Sequence, residues 1–219
     1  TWGTLQNLNG TTRDRDKPEG NGTKPAEVAG NMEVGTALYL IFLCVIHGVY
    51  FSLEHPRSSR LWYLPAITFL ASIAGIFTVE YDGCAWGMRP VDWKPEDGDI
   101  RVNHPSRILT NNPQLENLRR TCGQVSAHRH DVALGTDSQG IKKSHNSGWF
   151  PPMFCRAFIR SIKHGWSNNL VPTPVQLTPI KLGTFQLNVG LKEFGDTSKV
   201  IFSENTSERA PRGVQSAQV

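Results

Sequence analysis

Residues 32–53, MEVGTALYLIFLCVIHGVYFSL, carry Glu33 and His47 as their only acidic or basic side chains, and a second apolar run, LWYLPAITFLASIAGIFTV, follows at 61–79. Between them sits EHPRSSR, residues 54–60. Each run is close to the roughly 20 residues that cross a bilayer. One reading is therefore a membrane protein with two spans, at about 35–53 and 61–79, and HPRSSR as their basic connecting loop. The other breaks each run in two. Residues 33–46 favour helix, His47 and Gly48 interrupt, and Val49 to Leu53 is strand-like. In the second run Pro65 suits a first helical turn, Gly75 suits a stop, and Ile76 to Val79 is strand-like. Helix, strand, helix, strand predicts an α/β domain whose two strands are parallel, buried neighbours joined by a right-handed crossover through 58–73.

The rest of the chain sets this domain in context. At 219 residues with 38% hydrophobic side chains, it holds one core and a tail. Residues 1–30, rich in Gly, Asn, Thr and charge, read as loop; 31–165 read as the α/β domain, closed by an amphipathic helix from Pro152. Its apolar residues are Phe154, Ala157, Phe158 and Ile162, and its basic face is Arg156, Arg160 and Lys163. Residues 166–219 read as a Pro-rich, polar tail of low order, with one hairpin in TFQLNVGLKEF. The 23 basic and 19 acidic residues give a net charge of +4, which permits nucleic acid as a partner without requiring it. Four scattered cysteines do not form the disulfide framework of a small secreted domain, which points to a reducing, intracellular compartment.

Ligands of parallel sheets bind at the carboxyl ends of strands, where this chain places Glu54 after the first strand and Glu80 and Asp82 after the second. The segments there carry a family resemblance. GVYFSLEHPRSSRLW resembles the E-N-P-x-S-S-x-x-W strand end of DNA cytosine-5 methyltransferases, in the form found in methyltransferase-like modules of phage and algal retroelement polyproteins. DGCAWG at 82–87, HPSRILTN at 104–111, the C-x(5)-H-x-H of Cys122, His128 and His130, and FPPMFCRAF at 150–158 are similar to the segments that follow in those proteins. His55 stands where the family has Asn, His104 where it has Lys or Arg, and RPVDWKPEDGDIRV is inserted-like.

The resemblance implies a partial methyltransferase-like, Rossmann-type sheet with flanking helices. It implies the later part of such a domain, a fragment or degenerate copy from a mobile-element-type polyprotein. The Gly-rich S-adenosylmethionine strand and the Pro-Cys nucleophile loop would lie ahead of TWGTLQ, on an upstream half-domain, so the chain is not expected to bind the cofactor or to catalyse alone. Cytosine methylation needs a thiolate, an acid at the ring nitrogen, a methyl donor and a flipped base. Glu54 is the candidate for the acid, in a strand-end setting suited to holding a proton. Arg57, Arg107 and Asn111 are the substrate-binding candidates, with Arg107 expected either to pair with Glu54 or to clamp a phosphate. No membrane partner is assigned. No metal is assigned either: Cys84, Cys122, His128 and His130 are acceptable zinc ligands but lack a C-x(2)-C knuckle, and the histidines of SAHRHD also read as ordinary exposed residues. A zinc-dependent nucleic-acid-binding module is the third alternative.

Overall fold

The computed structural model describes residue 2, residues 10–90 and 92–131, residues 135, 136, 140 and 143, and residues 149–168 and 170–175. The expected hairpin in TFQLNVGLKEF and the expected low order of the tail lie outside the described residues. The chain divides into two compact units: Thr1–Phe51 with Ser59–Ala74 and Pro172–Val219, and Ser52–Ser58 with Gly75–Val171.

The first unit is built on helix α1, Pro25–Ile46. It begins inside the stretch expected to be loop, because Pro25 occupies the first turn, where its missing N–H is no loss and its φ is already helical. It stops where expected, and Gly48 takes the left-handed conformation just beyond it, with a φ of 62°. Gly30, Leu38, Ile41, Phe42 and Val45 form its buried stripe, and the Phe42 ring stacks at 6.1 Å on Phe69 of helix α2, Pro65–Ser72. The segment before α1 is tied down by a buried polar knot. Arg13, with no exposed surface, lies 3.5 Å over the Trp2 ring and donates to the carbonyls of Pro18 and Glu27, both at 2.8 Å. The Glu27 carboxylate accepts from the Thr11 hydroxyl and from the backbone and hydroxyl of Thr12, each at 2.6 Å.

Neither expected span forms one unbroken helix. Residues 61–79 are not one helix: they divide among a 3-10 turn at Arg60–Tyr63, α2, and a strand that begins at Phe77. Residues 35–53 do not form one helix either, since α1 ends at Ile46. Among the described residues α1 alone is long and apolar enough to cross a membrane by length and composition, and it lies near the N-terminus.

The second unit is mixed α/β. Strands β1 (Ser52–Pro56), β2 (Phe77–Asp82) and β4 (Pro105–Thr110) form one sheet in the order β1-β4-β2. β1 and β2 run in the same direction, as expected, but they are not neighbours: β4 lies between them, antiparallel to both. A central strand needs apolar cover on both faces, and Ile108 and Leu109, adjacent residues of β4 on opposite faces, are both fully buried. β1 is an edge strand and ends at Pro56, a residue that removes a ladder donor. On the face holding Val79, Tyr81 and Ile108, the sheet packs against Trp86, Leu115, Leu118 and Phe154, the last from helix α3, Pro152–Ser167. Phe154 stacks on Tyr81 at 4.5 Å and meets Trp86 edge-on, so α3 closes this core as its apolar stripe implies. A second, two-stranded sheet pairs β3 (Ile100–Val102) with β5 (Arg129–Asp131) in parallel.

The Glu27 knot generates a prediction with a defined sign. Burial alone would raise the Glu27 pKa, but the hydrogen bonds from Thr11 and Thr12 and the charge of Arg13 outweigh it and hold the pKa at about 2, against an ordinary 4.5. A carboxylate depressed in this way stabilises the fold above its unfolded pKa, and that contribution disappears as pH falls from 4.5 to 2. Thermal melts should therefore show Glu27→Gln less stable than wild type at pH 7, with the gap shrinking through that window. Parallel pH profiles for the two proteins would contradict the assignment.

Candidate metal centre

DGCAWG builds the first part of the centre. After β2 the chain makes a 3-10 turn at Gly83–Trp86 and leaves it through Gly87, whose φ of 77° is left-handed. Gly83 is closely packed: a Cβ there would lie 2.9 Å from Met88 Sδ and 3.1 Å from His104 Cβ, so both side chains would have to shift. The turn delivers Cys84, with no exposed surface, to the end of the sheet. Cys122 opens a second 3-10 turn, Cys122–Gln124, and is placed by Asp82, whose Oδ2 accepts the Cys122 backbone N–H at 2.8 Å. His130 lies on β5, where it is paired with Arg101 of β3, and Arg101 Nη1 donates to the Cys84 carbonyl at 3.0 Å. His128 lies just before β5, two positions from His130.

The donor atoms of Cys84, Cys122, His128 and His130 all lie within 4.8 Å of one another. Cys122 Sγ is 3.6 Å from His128 Nε2 and 3.4 Å from His130 Nε2, and the two Nε2 atoms are 2.9 Å apart. Zinc bonds of roughly 2.0 Å to nitrogen and 2.3 Å to sulfur give tetrahedral edges of about 3.3 Å between nitrogens and about 3.5 Å from sulfur to nitrogen. The sulfur–nitrogen edges agree with that geometry. The nitrogen pair is a few tenths of an ångström closer, at hydrogen-bond length, and a metal between the rings would open it. His128 Nδ1 lies 2.8 Å from the Ser126 carbonyl, which can only accept; Nδ1 is therefore the protonated nitrogen and Nε2 offers its lone pair to the cluster. Burial, with the Cys122 sulfur and Asp82 adding to it, pushes the Cys84 thiol up to about 12. Two thiols and two imidazoles are the donor set of a structural zinc site. Cobalt(II) would adopt the same geometry.

Of the other expected site residues, Arg57 and Arg107 meet at Glu80, while Glu54 and Asn111 lie elsewhere on the sheet. Glu54 pairs in register with Ile108, and its Oε1 accepts from the Tyr81 hydroxyl at 3.1 Å. Arg107 pairs with His55 and Glu80, one position along, and therefore sits on the opposite face of the sheet from Glu54. Its guanidinium bonds Glu80 Oε1 at 2.7 and 3.1 Å, not Glu54. Arg57 joins that cluster, reaching Glu80 and Asp82, each at 3.4 Å. Asn111 follows the last residue of β4, at the end of the sheet away from Arg57. His55 lies on the Arg107 face, and burial, then the neighbouring His104, holds its pKa down at about 4, so it is neutral at pH 7. No family model, curated protein or solved structure matches the chain.

The purified full chain should bind one zinc or cobalt ion, the latter with the visible absorption of a tetrahedral thiolate complex. Because ligation displaces protons from the donors, affinity should fall as pH drops from 7.5 to 5. Cys84→Ser should reduce affinity by at least tenfold. Equal affinity in the Cys84→Ser protein would remove Cys84 from the centre.

Proposed function

We propose that this chain is a zinc-stabilised nucleic-acid-binding module of methyltransferase-like descent, from a mobile-element-type polyprotein, that does not catalyse alone. The observation that carries the reading is the convergence of Cys84, Cys122, His128 and His130. Two of the segments similar to methyltransferase-like modules, DGCAWG and the C-x(5)-H-x-H stretch, supply all four donors. In this reading those segments persist because they hold a metal that shapes a binding surface, rather than because they perform chemistry.

Glu54 supports the descent more than the activity. Of the four requirements for cytosine methylation it offers one, the acid, and Arg107 and Asn111 are not gathered around it. The Rossmann-type arrangement and an S-adenosylmethionine site contributed by a separate half-domain belong to the same proposal. Nucleic acid, rather than a membrane, is the proposed partner, supported by the net charge of +4 and by arginines near the centre.

The test is fluorescence anisotropy of labelled single-stranded and duplex DNA with the zinc-loaded chain across a salt series. The expected result is binding whose logarithm falls linearly with that of salt concentration and which is lost on chelation. Under the same conditions no methyl group should pass from S-adenosylmethionine to DNA. Binding indifferent to chelation would separate the metal from the function, and methyl transfer by the isolated chain would overturn the non-catalytic reading.

A further inference from the structure

A cavity of about 430 Å³ opens beside the metal centre, and three of its lining residues are Arg89, Arg101 and Arg120. Its remaining wall includes Ala85, next to Cys84, and Gln124 to Ser126, the loop between Cys122 and His128. Arg101, which bonds the Cys84 carbonyl, and residues adjoining the donors in sequence therefore line the cavity.

The three arginines are not equivalent. Arg101 is committed: its Nε and Nη2 grip the two oxygens of Asp99 at 2.9 and 2.8 Å, and its Nη1 serves the Cys84 carbonyl. Arg89 is loosely held, 3.4 Å from the same Asp99 and 3.4 Å from the Gly98 carbonyl, with its guanidinium stacked 3.8 Å over Trp93. Arg120 has a fixed backbone, since its carbonyl accepts from Asp82 N–H at 2.9 Å and it bridges to Tyr81. Its guanidinium rests 5.4 Å from the Trp86 ring centre and makes no ion pair with a described residue. Among the described residues that line the opening there are three arginines and no carboxylate, and Asp99 is bonded by Arg89 and Arg101. A guanidinium held on an aromatic ring, with its donors unspent, is suited to an oxyanion with several acceptors.

We infer that this cavity is a phosphate-binding site, with Arg120 as the principal cation and Arg89 as the second, occupied by a backbone phosphate of nucleic acid. This rests on the zinc-stabilised module reading, because the metal would hold the Cys122–His128 loop that forms one wall. The basic face of α3, with Lys163 exposed, is the competing surface.

The experiment compares the zinc-loaded full chain with Arg120→Gln, Arg89→Gln and Lys163→Gln. The probes are a labelled twelve-nucleotide single-stranded DNA and inorganic phosphate, and zinc content is measured on every sample. Arg120→Gln should weaken oligonucleotide binding about tenfold and reduce the salt slope by about one, with zinc retained and Lys163→Gln indistinguishable from wild type. Arg89→Gln should shift both in the same direction by less. Phosphate binding that depends on Arg120, without oligonucleotide binding, upholds the site and rejects nucleic acid as its source. Oligonucleotide binding unchanged in Arg120→Gln and Arg89→Gln but weakened in Lys163→Gln overturns the site while leaving the module reading standing. Binding of neither probe by the zinc-loaded wild type overturns both, and a chain that takes up no zinc removes the module reading at its root.

Discussion

The carboxylate of Asp82 connects the sheet to the candidate metal centre. One oxygen faces Arg57 beyond the end of β1, and the other accepts the backbone N–H of Cys122. Asp82 is buried at the last position of β2, and its own N–H bonds the Arg120 carbonyl. A single residue thus sets where Cys122 begins its turn and where the backbone of Arg120 lies. The cysteine of the following turn, Cys84, is carried on the same strand end. A buried carboxylate costs free energy unless its lone pairs are satisfied, so this position is defined by its partners.

Magnitudes separate what positions the centre from what would stabilise it. The ion pairs among Arg57, Arg107, Glu80 and Asp82 are partly exposed apart from Asp82, and such pairs contribute about 0 to 1 kcal/mol each. A structural zinc ion contributes roughly 10 to 16 kcal/mol of apparent binding free energy in small domains. The short β3–β5 ladder, three residues on each strand, cannot stand alone on that scale. In this account the ion pairs choose the geometry and the metal makes it persist, which is why loss of metal is expected to remove the binding surface as well as the site.

Much of the element order could be read from the chain because Pro and Gly punctuate the apolar runs. His47 with Gly48, Pro65 and Gly75 mark real boundaries, and HPSRILTN becomes β4 almost residue for residue. Strand pairing was not legible, since β4 enters between β1 and β2 from a distant part of the sequence and nothing local announces it. The same register separates Glu54 from Arg107: a one-residue offset across a ladder reverses the face. The buried Arg13, stacked over Trp2, was hidden in a stretch whose composition reads as loop. For the centre, the four donors were legible as residue types acceptable to zinc, but without the C-x(2)-C spacing that marks such a site. Their convergence was not legible, because β3 and β4 intervene between Cys84 and Cys122.

Zinc K-edge X-ray absorption on the metal-loaded full chain reads the identity of the donors without relying on function. A four-coordinate ion with two sulfur donors at about 2.3 Å and two imidazole nitrogens at about 2.0 Å is the expected result. A shell of oxygen donors, a single sulfur, or six-fold coordination would contradict it.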